Sequence, residues 1–204
     1  MLLALLLGCI AVPLLTPPAR VSLVGGPSFP VEESHERPGE PVQVTGEARI
    51  GVQPLGLFPS LADRPLDLTG GLVLHLDEGL ARPGAYAEGS VYLWNQTWSN
   101  QSRARLRAFG ALDMLPPELR APEWDPGLRG GVGIDWGGFV HGMPGVGVGR
   151  DGSWVGVSYG EWAVGLVAEG GYQRLPDADL FCVALGVEFQ LPATAGFLLL
   201  PVHR

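Results

Sequence analysis

The chain has 204 residues, with 31 glycines, 19 prolines and no lysine, and its formal net charge is −8. This length favours one domain, and the negative charge excludes a general nucleic-acid-binding protein, because phosphate binding needs clustered cations. The aromatic and β-branched residues are too many for a disordered chain. The two cysteines are Cys9 and Cys182; if Cys9 is modified or removed, Cys182 has no partner, so we expect no disulfide framework. No CxxC motif or His/Cys cluster is present, so we expect no metal site, and we expect no cofactor.

The chain begins with an apolar segment, MLLALLLGCIAVPLL, which is too short to cross a bilayer as a helix of ~20 residues. We predict an export signal over residues 1–15. The stretch Leu6-Leu7-Gly8-Cys9 resembles the lipobox of bacterial lipoprotein signals. This resemblance implies that Cys9 is acylated and becomes the new N-terminus; an ordinary signal that is cleaved elsewhere is the alternative.

Residues 16–41 combine many prolines and glycines with several glutamates. This composition is typical of a linker. We therefore expect a tether here that holds a folded domain, residues 42–204, away from the lipid.

From residue 42 onward, apolar residues recur with a period of two, which is the period of a strand. In residues 66–77, for example, leucines occupy one face and polar or charged residues the other. The short connections predict an antiparallel up-and-down meander, and eight strands are enough to close a β-barrel. The predicted strands lie at about 42–53, 66–77, 85–98, 102–113, 127–141, 152–160, 161–174 and 178–191, and an apolar piece from Ala195 to Val202 follows.

Two of the predicted hairpins have registers that keep apolar residues opposite one another. In the last hairpin, Tyr172 faces Phe181. In the hairpin before it, a turn at Gly160-Glu161 places Tyr159 opposite Trp162.

The direction of the apolar face is the main ambiguity, because a soluble barrel turns it inward and a membrane barrel turns it to lipid. The predicted strands are long, like membrane strands of ~9–11 residues. Aromatic residues stand at the ends of the apolar faces, with Trp162 and Tyr172 on one strand and Phe181 and Phe189 on the next. Many glycines lie on the polar face, where a crowded barrel interior needs them. These features favour lipid outside.

With lipid outside, the charged residues of the strands fill the interior, where they must pair. We predict that this interior charge network closes the lumen. Its members are Glu47, Arg49, Glu88, Arg103, Arg105, Arg107, Asp135 and Glu169.

A catalytic role for His75 is the weaker of two interpretations. His75 lies between Asp67 and Asp77 on one strand face, and small membrane barrels that modify lipid acyl chains resemble this in using histidine and serine. An activated serine needs a base within hydrogen-bond reach, and neither a GxSxG motif nor a matching serine accompanies His75. We therefore interpret His75 as structural and expect no enzyme.

Over residues 42–191 the pattern resembles the small eight-stranded outer-membrane barrels of Gram-negative bacteria. The resemblance implies a non-enzymatic protein of the bacterial outer membrane with a structural, adhesion or assembly role. It would contact membrane lipid through Cys9 and the barrel exterior. The chain ends at His203-Arg204, without the final aromatic residue usual in such barrels. A soluble, lipid-anchored barrel or sandwich that binds a small apolar ligand, as lipocalins do, therefore stays open as the alternative.

Overall fold

A computed structural model describes residues 9–30, 43–58, 65–77, 80–99, 102–115, 125–149, 152–174 and 179–201. Nearly all of them lie in strands: β1 Cys9–Thr16, β2 Ala19–Pro30, β3 Gln43–Val52, β4 Leu66–Asp77, β5 Leu80–Ser99, β6 Ser102–Leu115, β7 Asp125–Gly149, β8 Gly152–Arg174, β9 Asp179–Leu191 and β10 Ala193–Pro201. A 3₁₀ helix, Pro54–Leu57, follows β3. None of the described residues forms a helix long and apolar enough to cross a membrane.

Strands β2 to β9 form a closed antiparallel barrel in which each strand pairs with the next and β9 pairs back with β2. We start at Arg20 on β2 and step from each residue to its paired residue on the next strand. One full turn around the barrel leads back to β2 at Pro30, so the strands are staggered by ten residues. With about 3.3 Å per residue and about 4.8 Å between strands, this stagger tilts the strands by about 40°. The predicted fold class, an all-β up-and-down meander closed into a barrel, is confirmed.

The barrel turns most of its large apolar residues outward and its charged residues inward. Leu72 and Leu185, at the middle of their strands, are 65% and 69% exposed. Arg107, which alternates with outward residues on β6, is completely buried. Because successive side chains of a strand point to opposite faces, this orientation holds along the barrel strands.

Residues 19–30 are a correction to the predicted linker over residues 16–41, because they form the barrel strand β2. The Gly25-Gly26-Pro27 sequence resembles a turn but lies within the strand. A Cβ atom on Gly26 would lie 1.9 Å from the carbonyl oxygen of Val183, so glycine is needed where β2 approaches β9. Residues 31–42, the remainder of that linker, lie outside the described residues.

The predicted turn at Gly160-Glu161 is also wrong. Strand β8 runs without interruption from Gly152 to Arg174 and pairs with β7 over residues 152–173. Gly160 adopts φ +105° within the strand, and Tyr159 pairs with His141 rather than with Trp162. Eight barrel strands were predicted and eight are present, but the agreement results from two errors that cancel: the prediction divided β8 into two strands and missed β2.

The register of the last hairpin is confirmed. Tyr172 pairs with Phe181, and Val164 pairs with Phe189. The two long strands β8 and β9 therefore meet with their apolar residues on one face.

One end of the barrel carries a small extra sheet. The outer parts of β7 and β8 run beyond the barrel, β10 pairs with β8 over residues 153–159, and β1 pairs with β10. We call these four segments the extension sheet and their end of the barrel the extension end. The apolar piece predicted from Ala195 onward thus forms β10 in this sheet and is not part of the barrel wall.

Candidate functional site

The interior of the barrel is a network of ion pairs supplied by alternate residues of the strands. On β6, Arg103, Arg105 and Arg107 point inward because they are two residues apart. Six arginines and six carboxylates of this network are buried: Arg20, Arg49, Arg103, Arg105, Arg107, Arg129, Asp67, Glu88, Asp113, Asp135, Glu169 and Glu188.

Glu88 lies at the centre of the network. Its carboxylate accepts hydrogen bonds from Nη1 of Arg20 at 2.9 Å and from Nη1 of Arg107 at 3.1 Å, while Nη1 of Arg129 lies 3.4 Å away. Ser90 Oγ donates a further bond at 3.2 Å. A carboxylate that is removed from water needs such partners to offset its desolvation, and these come from β2, β5, β6 and β7.

Arg107 joins this centre to two further carboxylates. It pairs with Glu188, and its Nε lies 3.7 Å from Asp135. Gly165 leaves the room that Asp135 needs, because a Cβ atom at that position would lie 2.3 Å from the carboxylate oxygen Oδ1 of Asp135. Small residues on the inner face therefore make space for the charged ones.

The network continues to the end of the barrel opposite the extension sheet. Arg49 donates to Glu47 and Glu169, both at 2.8 Å. Nδ1 of His75 lies 3.0 Å from Glu47, and Arg129 donates to Asp113 at 2.9 Å. His75 thus lies in the ion-pair network, and its contact with Glu47 accords with a structural role.

A separate group of charges lies at the extension end. Glu161 accepts hydrogen bonds from Arg105 at 2.8 Å and from Gln190 at 3.2 Å, and it also pairs with Arg103. The guanidinium of Arg105 stacks over the ring of Tyr92, 4.4 Å from its centre. This group occupies the interior of the barrel at the extension end.

The structure brings together all eight residues of the predicted network. It adds Arg20, Asp113 and Glu161, which the sequence reasoning missed. Arg20 was assigned to the linker and Glu161 to a turn. The alternation of Arg20 and Ser22 with Val21 and Leu23 was the signal for an inward arginine on a strand.

The two cysteines lie on different strands, Cys9 on β1 and Cys182 on β9. Cys9 is the first residue of β1 and pairs with Pro201. Cys182 is half-buried, and its sulfur lies 4.0 Å from the hydroxyl of Thr45.

The outer face of the barrel is the second candidate functional surface. Leucines, valines and isoleucines cover its middle, and exposed aromatic rings stand near both ends. Trp94, Trp98 and Trp136 lie near the extension end. Phe29, Tyr172 and Phe181 lie near the opposite end.

Among the described residues, no group of three or more metal-ligating side chains is present. Comparison with known proteins adds no family: no family model matches the chain, and no curated protein matches it.

Proposed function

We propose that this protein is a small barrel of the bacterial outer membrane whose outer face lies in hydrocarbon and whose role is structural, in adhesion or in envelope assembly. The observation that carries the proposal is the inverted orientation, with leucines exposed and arginines buried. A water-soluble domain avoids large exposed apolar surfaces. In a membrane barrel, the same surface is the one that contacts lipid.

The dimensions of the barrel support this location. Strand β3 has ten residues, and at a tilt of about 40° it spans about 25 Å, the height of the apolar band of membrane barrels. The aromatic rings near both ends correspond to the two aromatic girdles found where such barrels meet the lipid headgroups.

The ion-pair network supports a structural role. An eight-stranded barrel is only wide enough for its interior to be filled by side chains. Here the centre is occupied by Arg107, Glu88 and Glu188, all buried and paired. A wide pore and an apolar ligand inside the lumen are both disfavoured by such an interior, so the membrane barrel is favoured over the lipocalin-like alternative.

The position of β1 supports acylation of Cys9. The described residues of β1, Cys9–Thr16, pair with β10. Cleavage directly before Cys9 would keep these pairs, whereas cleavage after residue 15 would remove nearly all of them. A lipid on Cys9 would then give the protein a second contact with the membrane.

Membrane fractionation of the Cys9→Ala variant separates the two proposals. An integral barrel stays in the membrane fraction after an alkaline wash even without its lipid, and it shows a folded gel band that shifts on heating. A soluble barrel held only by its lipid is released by Cys9→Ala into the periplasmic fraction. Release of the variant without detergent would refute the membrane barrel, and a Cys182→Ala variant serves as the control.

A further inference from the structure

The extension sheet has an exposed apolar face that leads to the mouth of the barrel. Val155, Phe197 and Leu15 lie on β8, β10 and β1, and the register places Val155 directly opposite Phe197. All three are exposed. On β8, Val155 lies an even number of residues from the inward-facing residues of the barrel wall. This face of the extension sheet therefore continues the inner surface of the barrel beyond its end.

At the foot of this face lies a cavity of about 300 Å³. Leu57 and Phe58 at the end of the 3₁₀ helix form one wall, and Phe139 and Tyr159 form another. The 3₁₀ helix is held in place by a hydrogen bond from the backbone N–H of Gln53 to the carbonyl oxygen of Pro18, 2.8 Å long. The volume lies at the lower end of the range of small-molecule sites, about 300–1,000 Å³.

The carboxylate and the amide side chain that line the cavity already have partners. They belong to Glu161 and Gln190. Glu161 is bound by Arg103, Arg105 and Gln190, and Gln190 accepts from Arg105 at 2.9 Å. The cavity therefore offers a ligand apolar walls and no unmatched charge among these groups.

We infer that the extension end binds the hydrocarbon chain of a single-chain lipid such as a fatty acid, with the chain in the cavity and its polar head toward the mouth. The apolar face of the extension sheet gives the chain a continuous path to the cavity. A small, concave and mostly apolar site suits a small apolar molecule better than a protein surface. This site is separate from the outer face of the barrel, so it goes beyond the proposed membrane location.

The test uses palmitic acid with a photoreactive diazirine near the end of its chain, added to lipid vesicles that hold the full-length protein. After illumination, mass spectrometry identifies the labelled peptides. We expect saturable labelling of the peptides that contain Leu57 and Phe139, reduced by unlabelled palmitic acid. Labelling of the outer face around Leu185 is expected to rise without saturation, because bulk lipid contacts it.

Two substitutions of the same type give the matched comparison. Ala195 lines the cavity and Ala87 lies exposed on the outer face of β5. Ala195→Trp fills the cavity and is expected to lower cavity labelling about tenfold, equivalent to about 1.4 kcal/mol, while Ala87→Trp leaves it unchanged.

Cavity peptides that stay unlabelled, or labelling that unlabelled palmitic acid does not reduce, would overturn the inference. These two results come from the unmodified protein, so they hold even if Ala195→Trp does not fold. Cavity labelling without labelling of Leu185 would instead refute the membrane location and leave the lipid site intact.

Discussion

Arg107→Met tests whether the buried ion pairs hold the barrel together. Arg107 is completely buried, pairs with Glu88 at 3.1 Å and with Glu188, and lies 3.7 Å from Asp135. Methionine fills much of the same space but leaves these carboxylates short of a cation. Breaking a buried pair in this way costs about 3–5 kcal/mol, so with a slope of about 2 kcal/mol per molar the urea midpoint should fall by roughly 2 M.

The assay is urea unfolding in lipid vesicles, followed by the heat-modifiable gel shift. Adding Glu188→Gln to Arg107→Met removes one of the buried negative charges that Arg107 had neutralised. It should recover part of the loss, because a buried charge that has lost a partner is costly. Arg82→Met is the control, since Arg82 is partly exposed near the end of the barrel. A stability of Arg107→Met within about 0.5 kcal/mol of the parent, or no recovery in the double variant, would refute the reasoning.

Three further predictions follow from the barrel wall and the N-terminus. Leu72→Arg, at the middle of the outer face, should cost about 2–4 kcal/mol in vesicles, and Leu66→Arg at the rim about 0–1; equal urea midpoints would count against lipid contact. Gly26→Ala should prevent the folded gel band, because its Cβ would lie 1.9 Å from the carbonyl oxygen of Val183. Gly110→Ala should fold normally, because no atom lies within 4 Å of that Cβ. Two folded variants would contradict the close approach of β2 to β9. Cys9→Ala should abolish metabolic labelling with a fatty-acid probe and Cys182→Ala should not; persistent label on Cys9→Ala would rule out acylation at Cys9.

Much of the barrel wall was predictable because one strand face differs from the other in polarity. Strand β4 was predicted with its observed bounds, since its leucines alternate with polar residues over residues 66–77. Strand β2 was missed because Gly25-Gly26-Pro27 resembles a turn and Val24 places an apolar side chain on the inner face. Gly160 also resembles a turn residue, so the prediction divided β8 into two strands there.

Local sequence patterns could not predict which residues of the network pair with one another. Arg49 meets Glu169 across 120 positions of sequence, and only the closed register brings their strands together. An irregularity between Tyr92 and Trp94 also shifts the register of β5 and β6, so that Trp94 lies opposite Leu106 and Asn95 opposite Arg105. The period of two did not by itself give the direction of the apolar face, since it is the same for an inward and an outward face; the long strands, the aromatic residues at their ends and the glycines of the polar face did.

Spin labels on the outer face test the central claim most directly. Leu72→Cys and Leu185→Cys carry the label in a protein whose Cys9 and Cys182 are replaced by alanine, and electron paramagnetic resonance in lipid vesicles measures collisions with oxygen and with a water-soluble nickel complex. The account predicts frequent collisions with oxygen, which concentrates in hydrocarbon, and few with nickel at both positions. Frequent collisions with nickel at Leu72 and Leu185 would mean that these side chains face water, and would contradict the membrane barrel.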